Sequence, residues 1–176
     1  GWHTTEAGQV QYLDRRGKPL TQWQLIEEHW YYFSPEDATM VTGWLELDEG
    51  RYYLGTDGIR HIGWLELEEG TYYLQPSDAT AATGWLSLDG VVYYMDALGS
   101  MHTGWLELDE GRYYLNEDGS RAIGWAEIAG DRYYLGDDGI MVTGWLETEE
   151  GRCYLHQDGT LASGWTDTDE GRFFLT

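Results

Sequence analysis

Two tryptophans seven residues apart, Trp23 and Trp30, are the side chains of this sequence whose chemistry first suggests a ligand site. Two indoles on one face of a hairpin can form the walls of an aromatic cage. Such a cage attracts a quaternary ammonium ion through the ring quadrupole, and it can also stack on a sugar ring. We expect Tyr53 of the following repeat to supply a third wall, together with Met40. The alternative is that Trp30 only packs within an irregular early repeat.

The element that must position these rings is a short repeat that runs through the whole chain. Tryptophans recur at intervals of 20 or 21 residues, at Trp2, Trp23, Trp44, Trp64, Trp85, Trp105, Trp125, Trp145 and Trp165. Most of them follow a glycine and precede an aromatic pair with a large apolar residue, as in residues 52–54, and then a turn such as Asp57-Gly58. A fixed short period indicates an array in which each repeat buries its apolar face against its neighbours.

Each repeat is predicted to be a β-hairpin, so the fold class is all-β and the chain is a β-hairpin repeat solenoid of about nine repeats of ~20 residues. In the third copy, residues 44–47 and 51–54 alternate as strands and residues 48–50 form a tight turn that ends in glycine. An even-numbered loop gives an apolar face of Leu45, Leu47, Tyr52 and Leu54, and a mixed face of Trp44, Glu46, Arg51 and Tyr53. A three-residue loop would instead bury the charge of Arg51, which costs several kcal/mol, so we predict the even register.

A charged pair recurs on the mixed face. Five repeats carry arginine seven residues after the tryptophan, and all five carry an acidic residue two after it. The pairs are Glu46–Arg51, Glu107–Arg112, Glu127–Arg132, Glu147–Arg152 and Asp167–Arg172. We predict cross-strand ion pairs that contribute about 0.2–1 kcal/mol each. In the repeat of Trp23 the pair is replaced by Leu25 and Trp30.

Charge and composition exclude several classes of function. The 176 residues include 10 basic and 32 acidic side chains, a net charge of −22, and phosphate binding draws on clustered Lys and Arg, so we expect no nucleic-acid partner. No stretch is long and apolar enough for membrane insertion. The lone Cys153 excludes an internal disulfide framework. Because the acids recur at fixed offsets and no more than two of the five histidines share a position of the repeat, we expect no metal, no cofactor and no catalytic pair.

The repeat resembles a known family. Its pattern is Gly-Trp, then an aromatic pair, then Asp-Gly, then Met-x-Thr-Gly-Trp, and the clearest copies are WYYF at 30–33, MVTGW at 40–44 and MHTGW at 101–105. This pattern is similar to the cell-wall-binding repeats, which include choline-binding repeats, glucan-binding repeats and the C-terminal repeats of clostridial toxins. The resemblance covers the whole chain.

The resemblance implies a left-handed solenoid of stacked hairpins that anchors a larger secreted protein to the wall or surface of a Gram-positive bacterium or is carried by its phage. It implies a cell-wall polymer as partner, either choline-bearing teichoic acid or a glycan. In the choline-binding branch a site uses the Gly-Trp indole, the tryptophan seven residues later and a tyrosine of the next repeat. Trp23, Trp30 and Tyr53 complete that set in this chain, whereas elsewhere the second tryptophan is replaced by Arg, Thr or Val.

We therefore expect a single non-catalytic domain over residues 1–176, which binds a surface polymer through aromatic sites between hairpins. Two alternatives stay open at this stage. One is a structural spacer whose rings serve only the packing of the repeats. The other is an interaction module whose acidic face recruits a basic protein partner, with binding that weakens as salt is raised.

Overall fold

Nine antiparallel hairpins make up the computed structural model, which describes residues 1–149 and 151–176. The first five hairpins are Trp2–Thr4 with Val10–Tyr12 (β1, β2), Gln22–Ile26 with His29–Phe33 (β3, β4), Gly43–Leu47 with Gly50–Leu54 (β5, β6), Gly63–Leu67 with Gly70–Leu74 (β7, β8) and Gly84–Leu88 with Val91–Met95 (β9, β10). The other four are Gly104–Leu108 with Gly111–Leu115 (β11, β12), Gly124–Ile128 with Asp131–Leu135 (β13, β14), Gly144–Thr148 with Gly151–Leu155 (β15, β16) and Gly164–Thr168 with Gly171–Leu175 (β17, β18). The predicted all-β hairpin repeat is confirmed. Within the described residues no helix could cross a membrane.

The register of the hairpins follows the even rule. In the third hairpin Leu45 lies opposite Tyr52 and Glu46 lies opposite Arg51, so the loop consists of residues 48 and 49 alone. The same two-residue loop closes the second, fourth, sixth, seventh and ninth hairpins. Because successive side chains point to opposite faces, this register separates the apolar set from the charged set, as predicted.

The turns require backbone conformations that few residues adopt. Asp89 and Gly90 have φ values of +50° and +83°, the two positive values of a type I′ turn, which matches the twist of a hairpin. Gly50 follows its loop with φ of +148°, and a Cβ there would stand 2.8 Å from Thr80 Cγ2. Glycine at that position therefore serves both the turn and the close approach of the loop that follows the fourth hairpin.

The last residue of the second strand forms the core of the repeat. Seven such side chains are fully buried: Phe33, Leu54, Leu74, Met95, Leu115, Leu135 and Leu155. Burying one of them contributes about 1.5–3 kcal/mol. Backbone hydrogen bonds add a link between repeats, because the Arg60 N–H donates to the Trp30 carbonyl at 2.8 Å and the Leu161 N–H donates to the Arg132 carbonyl at 2.8 Å.

The chain divides into two compact units. One unit contains residues 1–84 and 95–100, and the other contains residues 85–94 and 101–176. The second, third and fourth hairpins lie in the first unit, and the sixth to ninth lie in the second. The candidate site around Trp23 belongs to the first unit. That the whole chain acts as one domain stays a prediction.

Candidate functional site

The two tryptophans of the predicted cage meet in the second hairpin. Trp23 lies on β3 opposite Tyr32, and Trp30 lies on β4 opposite Leu25, so the two indoles are diagonal neighbours on one face. Their ring centroids are 6.5 Å apart and their planes are nearly perpendicular, at 85°. Trp30 is 38 % exposed, which leaves part of its ring open to a ligand.

The ring of the next hairpin that packs on Trp23 is that of Tyr52, one residue before the predicted Tyr53. The Tyr52 ring lies 5.1 Å from Trp23 at an interplanar angle of 66°, and Tyr53 packs instead against Trp44, 5.2 Å away. The physical reason is the alternation of the strand, because Tyr52 belongs to the apolar face that turns toward the preceding hairpin. A ligand-binding role for Tyr53 stays a prediction.

The contact between Trp23 and Tyr52 recurs along the array. In other hairpins the first tyrosine of the aromatic pair also packs against the preceding Gly-Trp indole. Centroid distances are 4.7 Å for Trp44–Tyr72, 4.9 Å for Trp85–Tyr113 and 4.9 Å for Trp105–Tyr133. The second tyrosine packs on the indole of its own hairpin, as Tyr32 does on Trp23 at 5.1 Å. Each of these indoles therefore receives one ring from its own hairpin and one from a later hairpin.

Met40, the other predicted wall, lies in the core. It is partly buried and packs against Ile26, Tyr31 and Phe33. Its sulfur lies so close to Gly58 that a Cβ there would overlap it. The structure thus brings Trp23 and Trp30 together and places Met40 beneath the turn that follows the third hairpin. A contribution of Met40 to ligand binding stays a prediction.

Sequence reasoning missed Arg60, whose guanidinium lies over both indoles of the cage. The guanidinium carbon is 5.7 Å from the Trp23 centroid and 5.5 Å from the Trp30 centroid. Arg60 Nε is buried and has no hydrogen-bond partner among the described residues. A cation within about 6 Å of a ring centroid is attracted to the ring, so this site already attracts a positive charge.

The hydroxyl of Tyr52 stays neutral at physiological pH. Burial raises the pKa of Tyr52 above its usual value, and the charges of Glu49 and Asp78 raise it further, whereas Arg60 lowers it. Tyr52 can therefore donate a hydrogen bond as well as present its ring.

An open groove of about 620 Å³ lies beside Trp23. Its aromatic lining consists of Trp23, Tyr32 and Tyr52, and its acidic lining comes from the next hairpin, with Glu46, Asp48 and Glu49. A groove of about 720 Å³ occupies the corresponding place beside Trp125, with Tyr134, Glu147 and Glu149. At Trp44 the same kind of acid touches the ring edge, because Nε1 donates to Glu69 Oε1 at 3.4 Å. These grooves combine stacking surfaces with hydrogen-bond acceptors.

In five other hairpins arginine occupies the position of Trp30 and lies over its own indole. The guanidinium carbons of Arg51, Arg112, Arg132, Arg152 and Arg172 lie 3.9, 4.2, 4.7, 3.9 and 5.6 Å from the centroids of Trp44, Trp105, Trp125, Trp145 and Trp165. Four of the predicted ion pairs are confirmed, at 3.4 Å for Arg51, 3.5 Å for Arg112, 3.2 Å for Arg152 and 3.6 Å for Arg172. The fifth pair, Glu127 and Arg132, is opposite in register.

The eighth hairpin interrupts the ring pattern, because Cys153 stands where other repeats have the first tyrosine. Cys153 is a half-buried free thiol that donates to the Leu146 carbonyl at 3.7 Å, and burial raises its pKa. A cavity of about 310 Å³ lies beside it, with Trp125, Arg132 and Leu161 in the lining. Among the described residues no group of three or more His, Cys, Asp or Glu could hold a metal ion.

Comparison with protein families identifies the repeat. A model described as the choline-binding repeat matches residues 20–60 and 122–164, and a model described as a putative cell wall binding repeat matches residues 83–101 and 103–120. No curated protein matches the chain by sequence comparison.

Solved structures from Streptococcus pneumoniae share the architecture. CbpJ from strain TIGR4 has a TM-score of 0.73 at 22 % identity, over 99 % of this chain and 92 % of its own, which shows likeness of fold. The choline-binding domain of CbpL has a TM-score of 0.69 at 28 % identity, over 99 % of this chain and 92 % of its own. Choline binding protein F, solved with a peptidoglycan analogue, a tetrasaccharide-pentapeptide, has a TM-score of 0.78 at 28 % identity, over 93 % of this chain and 61 % of its own.

Proposed function

Because the chain belongs to the cell-wall-binding repeat family, we propose that it is a non-catalytic module that binds a cell-wall polymer, with the cage of Trp23, Trp30 and Tyr52 holding a quaternary ammonium group such as that of choline. The observation that supports this proposal is the pair of perpendicular indoles 6.5 Å apart, with the Tyr52 ring 5.1 Å from Trp23.

The rings of the cage can attract a quaternary ammonium ion even though that ion donates no hydrogen bonds. Such an ion has no N–H to donate, so ring faces are its main attractive partners, at about 0.5–2 kcal/mol per ring depending on desolvation. Glu46, Asp48 and Glu49 line the adjoining groove and add a negative potential that concentrates cations near the rings. The same carboxylates would repel the phosphates of the polymer, so the positive group must enter first.

A single shallow site gives weak binding. Trp30 is the one tryptophan outside the Gly-Trp series, so the sequence offers this two-indole arrangement once. On a polymer that repeats its choline groups, a second attachment through the rest of a larger protein would raise the effective affinity by mass action. Because of the family match, we also propose that the module acts at the bacterial cell wall or cell surface.

The proposal is tested with Trp30→Val, which reproduces an arrangement that the chain already contains. The fifth hairpin has Val92 at this position and still pairs Trp85 with Tyr113 at 4.9 Å, so valine is compatible with the fold. Tryptophan fluorescence of the wild-type chain should change and saturate as choline is added. Trp30→Val should lose most of that response while its thermal unfolding stays close to wild type.

The matched control is Arg51→Thr, because the fourth hairpin carries Thr71 at the equivalent position. This variant changes the same lattice position in a neighbouring hairpin and leaves both indoles of the cage in place, so its choline titration should match wild type. An unchanged titration in Trp30→Val would refute the cage. The absence of any choline response in the wild-type chain would refute the small-cation function altogether.

A second candidate ligand is a glycan chain of the wall, favoured by the grooves beside Trp23 and Trp125. Each groove joins ring faces, which stack on sugars, to carboxylates, which accept hydrogen bonds from hydroxyl groups. Titration with soluble peptidoglycan fragments tests this candidate. Trp125→Ala should weaken glycan binding and leave the choline response intact, whereas loss of both would show that the variant is damaged more widely.

The spacer and the acidic-face hypotheses make different predictions from these. A structural spacer should bind neither choline nor purified wall. If the acidic face is what binds, variants that lack the indoles should still bind purified wall. For the acidic face, capture of a basic partner should fall steeply with ionic strength, because exposed charges are screened beyond about 8 Å at physiological salt.

A further inference from the structure

In the described structure an arginine guanidinium lies over seven of the Gly-Trp or Gln-Trp indoles. The arginine belongs either to a strand of the same hairpin or to a loop. Five are supplied by the second strand of the same hairpin, as Arg51 is for Trp44 at 3.9 Å. Two are supplied by the loop after the following hairpin: Arg60 for Trp23 and Arg121 for Trp85, both at 5.7 Å.

Over the residues that the structure describes, an indole that has an arginine from one source has none from the other. Where the strand supplies Arg51, Arg112 or Arg132, the loop position holds Ala81, Met141 or Leu161. Where the loop supplies Arg60 or Arg121, the strand position holds Trp30 or Val92. An indole thus receives its cation from one side, and the cage at Trp23 receives it from the loop.

Arg60 occupies a position of the repeat that holds a core methionine in other copies. Its loop position holds Met40, Met101 and Met141 in other repeats, where the side chain packs beneath a turn glycine. The backbone is fixed in the same way, since the Arg60 N–H donates to the Trp30 carbonyl just as the Met141 N–H donates to the Arg112 carbonyl. At the equivalent Arg121 the arginine stem takes the place of that methionine, because a Cβ at Gly139 would stand 2.6 Å from Arg121 Cδ. The side chain of Arg60 is longer than methionine, and its guanidinium reaches both rings.

We propose that Arg60 is an internal cation that competes with the external ligand for the cage of Trp23, Trp30 and Tyr52 and so determines its affinity. This inference rests on the proposed function of the cage. The guanidinium faces both indoles at 5.5–5.7 Å, where a ligand's ammonium group would make its own ring contacts. Its Nε lacks a hydrogen-bond partner in the described part of the chain, so that atom gives up no hydrogen bond when the guanidinium leaves the cage.

The expected effect follows from the occupancy of the cage. A ligand that needs an empty cage sees an affinity reduced by the fraction of time the cage is empty. If Arg60 occupies it about four-fifths of the time, the apparent dissociation constant is raised about fivefold, which corresponds to about 1 kcal/mol. That occupancy is what a guanidinium held by ring contacts at a partly exposed site would reach.

The test compares choline and tetramethylammonium binding to the wild-type chain, Arg60→Met and Arg60→Lys, by tryptophan fluorescence and calorimetry. Arg60→Met should bind about fivefold more tightly than wild type, because methionine occurs at this position in other repeats and removes the competing charge. Arg60→Lys should stay near wild type, because lysine keeps a cation within reach of the rings. The matched control is Arg121→Met, which removes the loop arginine of the Trp85 site and should leave choline affinity unchanged.

A side-chain NMR measurement follows the displacement itself. The Arg60 Nε–H resonance should be shifted by the ring currents of Trp23 and Trp30 and should return toward the value of a free arginine as choline saturates the cage. An Arg60→Met affinity equal to or below that of wild type would overturn the inference, while loss of choline binding in Trp30→Val would still uphold the proposed function. If neither the wild-type chain nor Arg60→Met binds choline, the inference and the proposed function fail together.

Discussion

Replacing Cys153 with tyrosine should stabilise the protein, because it restores a ring contact that the eighth hairpin lacks. In the neighbouring repeat the equivalent Tyr133 packs on Trp105 with a centroid distance of 4.9 Å. Beside Cys153 the corresponding space is a cavity of about 310 Å³ that Trp125 lines. Cys153→Tyr gives that indole a ring from the following hairpin, as Trp23, Trp44, Trp85, Trp105 and Trp145 have.

The size of the effect follows from the ring pair that forms and the hydrogen bond that is given up. A perpendicular aromatic pair contributes about 0.5–1.5 kcal/mol beyond its buried area. The thiol gives up a weak hydrogen bond to the Leu146 carbonyl at 3.7 Å, and the larger ring loses more rotamer freedom on burial. The expected increase in the free energy of unfolding is therefore about 1 kcal/mol, which for a chain of this length raises Tm by about 2–4 °C.

The assay is urea unfolding followed by tryptophan fluorescence, in which a rise in the midpoint at constant slope reports an increase in stability. The reciprocal variant, Tyr133→Cys, removes the same ring contact from Trp105 and should lower the midpoint by a comparable or larger amount. If Cys153→Tyr lowers the midpoint, or if Tyr133→Cys leaves it unchanged, the ring contacts between repeats do not stabilise the array and the reasoning is wrong.

Two further outcomes are expected. Val92→Trp should create a second choline-responsive cage, because Trp85 already has a tyrosine from the next hairpin. Arg121 would compete with the ligand there, as Arg60 does at Trp23. A fluorescence amplitude per chain equal to wild type would contradict this prediction. Asp118 has its pKa lowered by hydrogen bonds from the hydroxyl and backbone N–H of Ser120, so its stabilisation is present above the unfolded pKa near 3.8 and is lost as pH falls through the folded value. Asp118→Asn should therefore lower the urea midpoint at neutral pH and narrow its difference from wild type near pH 3, and a difference that widens on acidification would reverse this assignment.

The hairpin and its register could be predicted because they follow from local rules. Alternation assigns each side chain to a face, and the cost of burying Arg51 among leucines selects the even loop. The comparison of copies within one chain then identified the acid opposite each arginine, and Glu46–Arg51 at 3.4 Å is one of the pairs that the structure confirms. Both steps use residues less than ten positions apart.

The composition of the cage could not be predicted in full, because it depends on contacts between repeats. The choice between Tyr52 and Tyr53 depends on which face of one hairpin packs on the next, and the alternation within a hairpin does not fix that. Arg60 lies 37 residues after Trp23 and enters the site from the loop beyond the next hairpin. Other repeats have a core methionine at the position of Arg60, so nothing in the sequence indicated that this arginine reaches a ligand site.

The arginines over the indoles also account for the distribution of charge. Seven of the ten basic residues lie over tryptophan rings, and the other three, Arg15, Arg16 and Lys18, are close together in the first unit. Because 32 acidic residues outnumber the ten basic ones, the carboxylates dominate the field that an approaching molecule meets. That field attracts a positively charged group and repels phosphate. Under the proposed function, choline would be drawn to the grooves first and would compete with arginine only at the rings. Salt should therefore slow the approach of the ligand more than it changes the competition inside the cage.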